Sequence, residues 1–312
     1  MNKNKKFSLC IHGGAGVISK EELSKAEKAS IVAHLKQSLT AGERILEKGG
    51  SALDAVCASV EVLENSAHFN AGHGAVFSRS GKHFLEASVM EGKALQAGSV
   101  ANSERVKNPV LFAKALLAHK DVVMMSGTNA DVMAEKMGCD MVENNYFDID
   151  FRKKQWEQAK KLSEDAIFLD HSNLKMGTVG AVAIDTEGNV AAATSTGGMT
   201  NKLDGRVGDT AVIGCGTYAN NKTCAVSCTG IGEYFIRGTV ASLVSNLMEF
   251  ANLSLEEASK KAIQEQGVLG GEGGLIAIDK DGKIAMPYNS GGMYRGYVTE
   301  TDKKVMIWDT EA

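Results

Sequence analysis

Two distant stretches of the chain read alike, and the likeness constrains its fold more than any other feature. Residues 178–195, TVGAVAID-TEGN-VAAATS, and residues 273–288, GGLIAID-KDGK-IAMPY, each give an apolar run, a polar turn carrying a glycine, and a second apolar run. Short apolar runs bounded by turn residues read as paired strands. The repeat implies two similar hairpins within one architecture.

Helical periods and caps fill in the surroundings. A first strand at Phe7–Ile11 precedes a charged and apolar alternation from Glu21 to Lys48, stopped by Gly49-Gly50. Ser51 with Asp54 suits the N-terminus of a helix over Ala52–Glu64, as Ser254 with Glu257 does for a later one. GAVFSRSGKHFLEASVM reads as a hairpin turning at Ser80-Gly81, and Pro109 opens a helix through Ala118. VVMMSG is a short strand. The polar, lysine-rich span 143–177 holds a helix near Arg152–Ser163 and little to anchor its last dozen residues. DTAVIGCGTYANN and TCAVSCTGIGE read as strands, and Gly232–Phe250 as a helix. Strands and helices in this order predict an α+β sandwich of sheets covered by helices, a single domain over residues 1–312.

Composition narrows the class. Apolar residues make up 44% and charged residues 23%, which supplies a core of ordinary size. A net charge of −4 argues against nucleic acid as a partner. No apolar run is long enough to span a membrane, and the run after the basic N-terminus is too short for a secretion leader. Cys10, Cys57, Cys139, Cys215, Cys224 and Cys228 form no CxxC and no metal spacing, so reduced thiols in a cytoplasmic protein are expected. The chain has 34 glycines but 2 prolines. The glycines cluster in HGGAG, NAGHG, STGG, GCG, TGIG, GGEGG and SGGM, mostly at strand ends, as tight loops around one site would require.

Absences narrow the chemistry. There is no phosphate loop of the GxxxxGK[ST] type, no HExxH, and no serine flanked as in the α/β-hydrolase elbow. GIGEYF lacks the third glycine of a dinucleotide fingerprint. All 7 histidines lie at or before His171, so the stretch 178–232, rich in Thr, Ser and Gly, must find another base. A threonine at a new N-terminus carries its own, because its hydroxyl attacks while its α-amino group takes the proton. That amine has a pKa of about 7.7–8.0. Inside an intact chain it is an amide, so the Gly177–Thr178 bond must break first. Gly177 offers no side chain to hinder that attack.

IHGGAG, FNAGHGAVF, GTVGAVAID, TSTGGMTNKLDGRVGD and CTGIGE together resemble the plant-type L-asparaginase and isoaspartyl peptidase family of N-terminal nucleophile hydrolases, across nearly the whole chain. The resemblance implies an αββα fold, self-cleavage into an α subunit (1–177) and a β subunit (178–312), and a dimer of such αβ pairs. It implies an enzyme that cleaves β-aspartyl dipeptides and L-asparagine through a threonine ester. By the same resemblance Thr178 is the nucleophile and Thr196 orients it, while Thr229 and Gly230 form the oxyanion hole. Arg206 and Asp209, with Gly232, hold the substrate's α-carboxylate and α-ammonium, chemistry that a guanidinium fork and a carboxylate suit. His12, Gly13, Gly14 and Asn70 support the site. Backbone carbonyls of Leu63, Glu64, Ser66, Phe69, Ala71 and His73 are implied to wrap a structural sodium, a hard cation that takes oxygen ligands; no catalytic cofactor is implied. The chain departs from the family at Ala67, where proline is usual, and at Leu203-Asp204-Gly205, where the family carries LPG.

Other readings stand beside this one. Each threonine alone suits an ordinary strand or strand end, and Arg206–Asp209 alone suits a surface ion pair. The same machinery also serves other leaving groups, as in a glycosylasparaginase or an aspartate-specific threonine protease. A binding protein that never cuts itself, or a nucleotide-binding enzyme using the glycine loops, belongs to a different class.

Overall fold

The computed structural model describes residues 7–16, 18, 23–119, 121–162 and 177–308. In chain order the elements are β1 (Ser8–Gly16), α1 (Lys25–Glu47), α2 (Ala52–Glu64), β2 (Leu85–Glu91), β3 (Ala97–Ser103), α3 (Pro109–Leu116), β4 (Met124–Ser126), α4 (Gly127–Lys136) and α5 (Asp150–Leu162). Then come β5 (Val179–Ile184), β6 (Val190–Thr196), β7 (Thr217–Ala219), β8 (Cys224–Gly230), α6 (Gly232–Gly238), α7 (Val240–Ala251), α8 (Leu255–Val268), β9 (Gly273–Asp279), β10 (Ile284–Ala285), β11 (Gly292–Thr299) and β12 (Lys303–Met306). Eight strands form one sheet, in the order β12-β11-β1-β5-β6-β2-β3-β4, and four form another, β10-β9-β8-β7. Only β3 and β4 pair in parallel among these.

The sheets lie face to face, β1, β5 and β6 against β7, β8 and β9. Helices α1, α2 and α3 cover the outer face of the large sheet, and α7 and α8 that of the small one. The four layers are those of an N-terminal nucleophile hydrolase, as expected. Alternation along the strands builds them. Val179, Ala181 and Ala183 enter the helix-side core with Leu9, Ile11, Ala191 and Ala193. Their neighbours Val182, Ile184, Cys10, Val190 and Ala192 meet Ala225, Ile276 and Ile278 between the sheets. Each fully buried Val or Ile of this kind contributes about 1.5–3 kcal/mol. By the same alternation His12, Thr178, Gly180, Thr194, Thr196, Ser227 and Thr229 continue the inter-sheet layer. One end of that layer is therefore apolar and the other is lined with hydroxyls.

The caps fall where the sequence puts them. Ser51 Oγ accepts from Asp54 N at 3.0 Å, and Ser254 with Glu257 completes a reciprocal capping box. Pro109 opens α3. The two repeated hairpins are β5–β6 and β9–β10, and their turns are built alike. Asp185 Oδ1 accepts from Glu187 N and Asn189 N; Asp279 Oδ1 accepts from Asp281 N and Lys283 N. Cys224 and Cys228 are core residues beneath α7 and α8, and all six cysteines are free thiols.

Four expectations need correction. The 74–90 segment turns at Gly81, but only its second arm is a strand; the first arm bonds to the 199–202 loop instead, through Asn201 N to Phe77 O and Arg79 N to Lys202 O, both 2.8 Å. Residues 209–216 are a 3-10 turn and tight loops rather than a strand, and the strand is confined to β7. The helix expected over 232–250 is two, broken at Thr239, whose φ is +45°. That break lets Ala241 N and Ser242 N donate to the carbonyls of Cys215 and Gly214. Finally, the first strand runs on through the HGGAG glycines to Gly16. The span expected to be poorly anchored, 163–176, and residues 19–22 lie outside the described residues.

Candidate active site

At the hydroxyl-lined end of the inter-sheet layer a small cleft is bounded by Gly177, Thr178, Thr196, Gly198, Met199, Arg206, Gly208, Asp209, Gly230 and Gly232. Five of the residues singled out in the sequence as nucleophile, orienting hydroxyl or substrate clamp thus meet there: Thr178, Thr196, Arg206, Asp209 and Gly232. Gly177 and Gly230 complete the junction and the oxyanion side. Thr178 sits immediately before β5 and is 7% exposed. Its Oγ1 donates to Thr196 Oγ1 at 3.2 Å, and Thr196 Oγ1 lies 3.4 Å from the Gly177 carbonyl. Thr196 Oγ1 also accepts from Gly198 N at 3.0 Å. The Thr196 hydroxyl is therefore held against both the Thr178 hydroxyl and the Gly177 carbonyl of the bond expected to break.

Close approach explains the glycines. Gly14, at φ +111°, faces the junction; a Cβ there would stand 2.6 Å from Gly177 Cα and 3.2 Å from Thr178 N. A Cβ on Gly13 would lie 2.6 Å from the Phe69 ring. A Cβ on Gly232 would meet Asp209 Oδ1 at 2.8 Å. Asn70 braces the turn after Thr196, donating from Nδ2 to Gly198 O at 2.6 Å and accepting from Val76 N at 3.1 Å. Thr229 is fully buried, and its hydroxyl oxygen accepts from Ala15 N at 3.1 Å, which leaves its proton for another acceptor. It ties β8 to the glycine loop but does not itself line the cleft.

The charged residues differ from a simple ion pair. Arg206 meets Glu233, not Asp209, through two bonds of 2.8 and 2.9 Å. Burial opposes the guanidinium charge, but Glu233 outweighs it and holds the pKa up. Asp209 Oδ2 is buried without a hydrogen-bond partner. Burial pushes this carboxyl up to about 7, against the pull of Arg206. A buried carboxyl oxygen with no partner, in a cleft with Thr178, suits a cationic group.

The sequence did not single out a buried pair beneath the clamp. Lys202 Nζ lies 3.4 Å from Glu86 Oε1, both side chains fully buried, and donates to Phe84 O at 2.9 Å. Glu86 Oε2 accepts from Gly208 N at 2.9 Å, so the pair fixes the backbone between Arg206 and Asp209. Glu233 was missed too, though it stands in the quoted CTGIGE.

The expected sodium loop follows α2. A Cβ on Gly72 would stand 2.6 Å from the Glu64 carbonyl, and one on Gly74 would lie 2.8 Å from the Ser66 carbonyl and overlap that of Phe69. Three of the expected six carbonyls therefore lie against Gly72 and Gly74, oxygen donors of the kind a hard cation takes. The carboxylate of Glu64 is engaged elsewhere, by Ser195 Oγ at 2.6 Å and Val110 N at 3.0 Å. His73 Nδ1 bonds to the Tyr146 carbonyl. Among the described residues no group of three His, Cys, Asp or Glu side chains is placed to hold a metal. No described helix is long and apolar enough to cross a membrane.

Comparison with known proteins agrees with this geometry. The asparaginase family profile matches residues 5–307. An isoaspartyl peptidase of Escherichia coli (strain K12) is 47% identical over 305 residues, covering 95% of this chain and 94% of its own. An isoaspartyl peptidase/L-asparaginase of Mus musculus is 38% identical (91% and 86% covered), and a plant-type L-asparaginase of Pyrococcus furiosus is 36% identical (95% and 98%). The chain belongs to the asparaginase family of N-terminal nucleophile hydrolases, with isoaspartyl peptidases and plant-type L-asparaginases among its relatives.

Proposed function

We propose that this enzyme cuts its own chain between Gly177 and Thr178 and then hydrolyses β-aspartyl dipeptides and L-asparagine. One observation carries the reading: the unpartnered Asp209 carboxylate, the Arg206 guanidinium and the Thr178–Thr196 hydroxyl pair line the same cleft. A free aspartyl end carries an α-carboxylate and an α-ammonium beside its β-carbonyl. The carboxylate takes the Arg206 fork that Glu233 holds in the free enzyme, and the ammonium takes Asp209.

In the precursor, Thr178 Oγ1 attacks the Gly177 carbonyl, the acyl group moves from nitrogen to oxygen, and water releases the α fragment. The exposed Thr178 amine then accepts the proton of its own hydroxyl as the latter attacks the substrate's β-carbonyl. Thr196 holds the attacking oxygen. The Gly230 N–H, on the cleft wall, receives the oxyanion, with Thr229 fixing β8 behind it, and one such donor is typically worth about 10²–10³ in rate. The C–N bond breaks, the amine takes the proton from Thr178 as it leaves, and water hydrolyses the β-aspartyl ester by the reverse path.

The fragments 1–177 and 178–312 remain together as an αβ pair, and two pairs form a dimer. The backbone carbonyls of residues 63–73 would hold a sodium ion, which would stiffen the loop that carries Asn70. Six free thiols fit the reducing cytoplasm. The test is a parallel assay of β-Asp-Leu, L-asparagine and a glycosylated asparagine, with intact masses of the fragments. Cleavage before Thr178 with turnover of the first two supports the reading. Turnover of the glycosylated substrate alone overturns its substrate class, and an uncut chain with full activity overturns its mechanism.

A further inference from the structure

A row of buried hydroxyls runs from the nucleophile's backbone to the substrate clamp. His12 Nδ1 lies 2.8 Å from the Thr178 carbonyl, and His12 Nε2 lies 2.8 Å from Ser227 Oγ. Ser227 Oγ is 2.7 Å from Thr194 Oγ1, which is 2.5 Å from Thr217 Oγ1. Thr217 Oγ1 is 2.7 Å from Ser88 Oγ, and Ser88 Oγ is 2.6 Å from the carbonyl of Thr210, the residue after Asp209. All five side chains are fully buried.

The first member fixes the direction of four of the five protons, all but that of Ser88. A carbonyl oxygen only accepts, so His12 Nδ1 must carry the hydrogen. Burial pushes the His12 pKa down to about 3, so the ring is neutral and Nε2 is an acceptor. Ser227 must then donate to His12, Thr194 to Ser227, and Thr217 to Thr194. Ser88 ends the row with one proton facing Thr217 and the Thr210 carbonyl. Each hydroxyl has a single proton, so the opposite tautomer of His12 would require every member to turn round. Gly180 makes the arrangement possible, because a Cβ there would overlap Ser227 Oγ and His12 Nε2.

We propose that His12, Ser227, Thr194, Thr217 and Ser88 form a one-directional positioning row that sets the Thr178 main chain relative to the Asp209 clamp. They are positioning residues, since none lines the cleft. The inference rests on Thr178 being the nucleophile. It adds that reaction geometry depends on hydroxyl protons outside the cleft, and that His12 acts as a fixed neutral donor.

Thr194→Val removes the proton and keeps the shape, while Thr194→Ser keeps the hydroxyl; Ser227→Ala cuts the row at a second place. Kinetics on β-Asp-Leu are normalised to the cleaved fraction. Thr194→Val and Ser227→Ala should lower kcat about 10- to 100-fold, the cost of a misplacement near 1 Å, and Thr194→Ser should stay within about threefold of wild type. Wild-type rates in Thr194→Val, or equal losses in Val and Ser variants, overturn the proposal. Nitrogen NMR of the wild-type enzyme, with the His12 signal assigned by His12→Gln, decides the direction without depending on variant folding. A protonated Nδ1 and bare Nε2, unchanged from pH 5 to 9, is expected; the other tautomer or an imidazolium at pH 6 overturns it. If wild type is inactive, or Thr178→Ala active, the nucleophile assignment fails instead, and the NMR result still stands on its own.

Discussion

The β5–β6 and β9–β10 hairpins share one pattern and one turn, yet only the first borders the cleft. Aligned on Asp185 and Asp279, their inward positions match: Ile184 with Ile278, Val182 with Ile276, Gly180 with Gly274, and Thr178 with Glu272. Both glycines make room, but for different neighbours. Gly180 admits His12 and Ser227, whereas Gly274 admits Tyr288 and Met293. The strand after the turn runs on to Thr196 in the first hairpin and stops at Ala285 in the second. The hairpin is therefore a scaffold unit, and what turns it into an active site is the polar company at one end of a shared apolar layer.

The sharpest break in that comparison is at the paired ends. Thr178→Ala should leave one uncut chain and reduce ammonia release to background, while Glu272→Ala should leave kcat within about threefold of wild type. Denaturing gels and an ammonia assay read both, and an active Thr178→Ala variant refutes the assignment. Next in size is the buried pair that supports the clamp behind the first hairpin. Lys202→Met strands Glu86 without its cation and should cost about 3–5 kcal/mol in urea denaturation; a loss under 1 kcal/mol would show that the pair does not hold the fold together.

Acid should weaken the clamp and leave the second hairpin untouched. Asp209 titrates near 7 in the fold, above its usual carboxylate range, because burial disfavours its charge. Its charged form binds the substrate ammonium, so the inhibition constant of L-aspartate should rise about tenfold for each pH unit below that pKa. Asp209→Asn should flatten the profile. The stability effect has the opposite sign: between pH of about 4 and 7 the unfolded chain ionises this carboxyl while the fold keeps it protonated, so stability falls as pH rises through that window and recovers in acid. Smallest is the turn itself. Gly188 sits at φ +85° with open space around it, and Gly282 at φ +82°, where a Cβ would stand 3.2 Å from Ser8 Oγ. Gly188→Ala and Gly282→Ala should each cost about 1–2 kcal/mol and leave kcat alone. Unequal costs would show that the two turns are less alike than their hydrogen bonds.

The sequence announced whatever is built locally. Turn glycines, serine caps and Pro109 at a helix start all act within four residues, and the structure keeps them. The Thr178–Thr196 pair was legible through family motifs, and strand alternation places its members on one face. What stayed hidden depends on distant partners. The segment 209–216 looks like a strand because its residues suit one, but its backbone is spent wrapping Asp209. Thr239 breaks a continuous helical period because two carbonyls of that same segment need donors. Lys202 with Glu86, and the hydroxyls of Ser88, Thr194, Thr217 and Ser227, join residues far apart in sequence and resemble surface polarity when read singly. Alternation held the available clue: all four of those hydroxyls share an inward parity with the apolar residues between the sheets.

The order of the large sheet has a consequence for what self-cleavage achieves. β1 lies between β11 and β5, and β2 pairs with β6, so strands from before and after the junction are laced through one hydrogen-bonded ladder. Cutting the chain at its seam frees an amine but no fragment. The severed halves should melt as one body in calorimetry, as a garment with a single thread snipped still hangs by its weave.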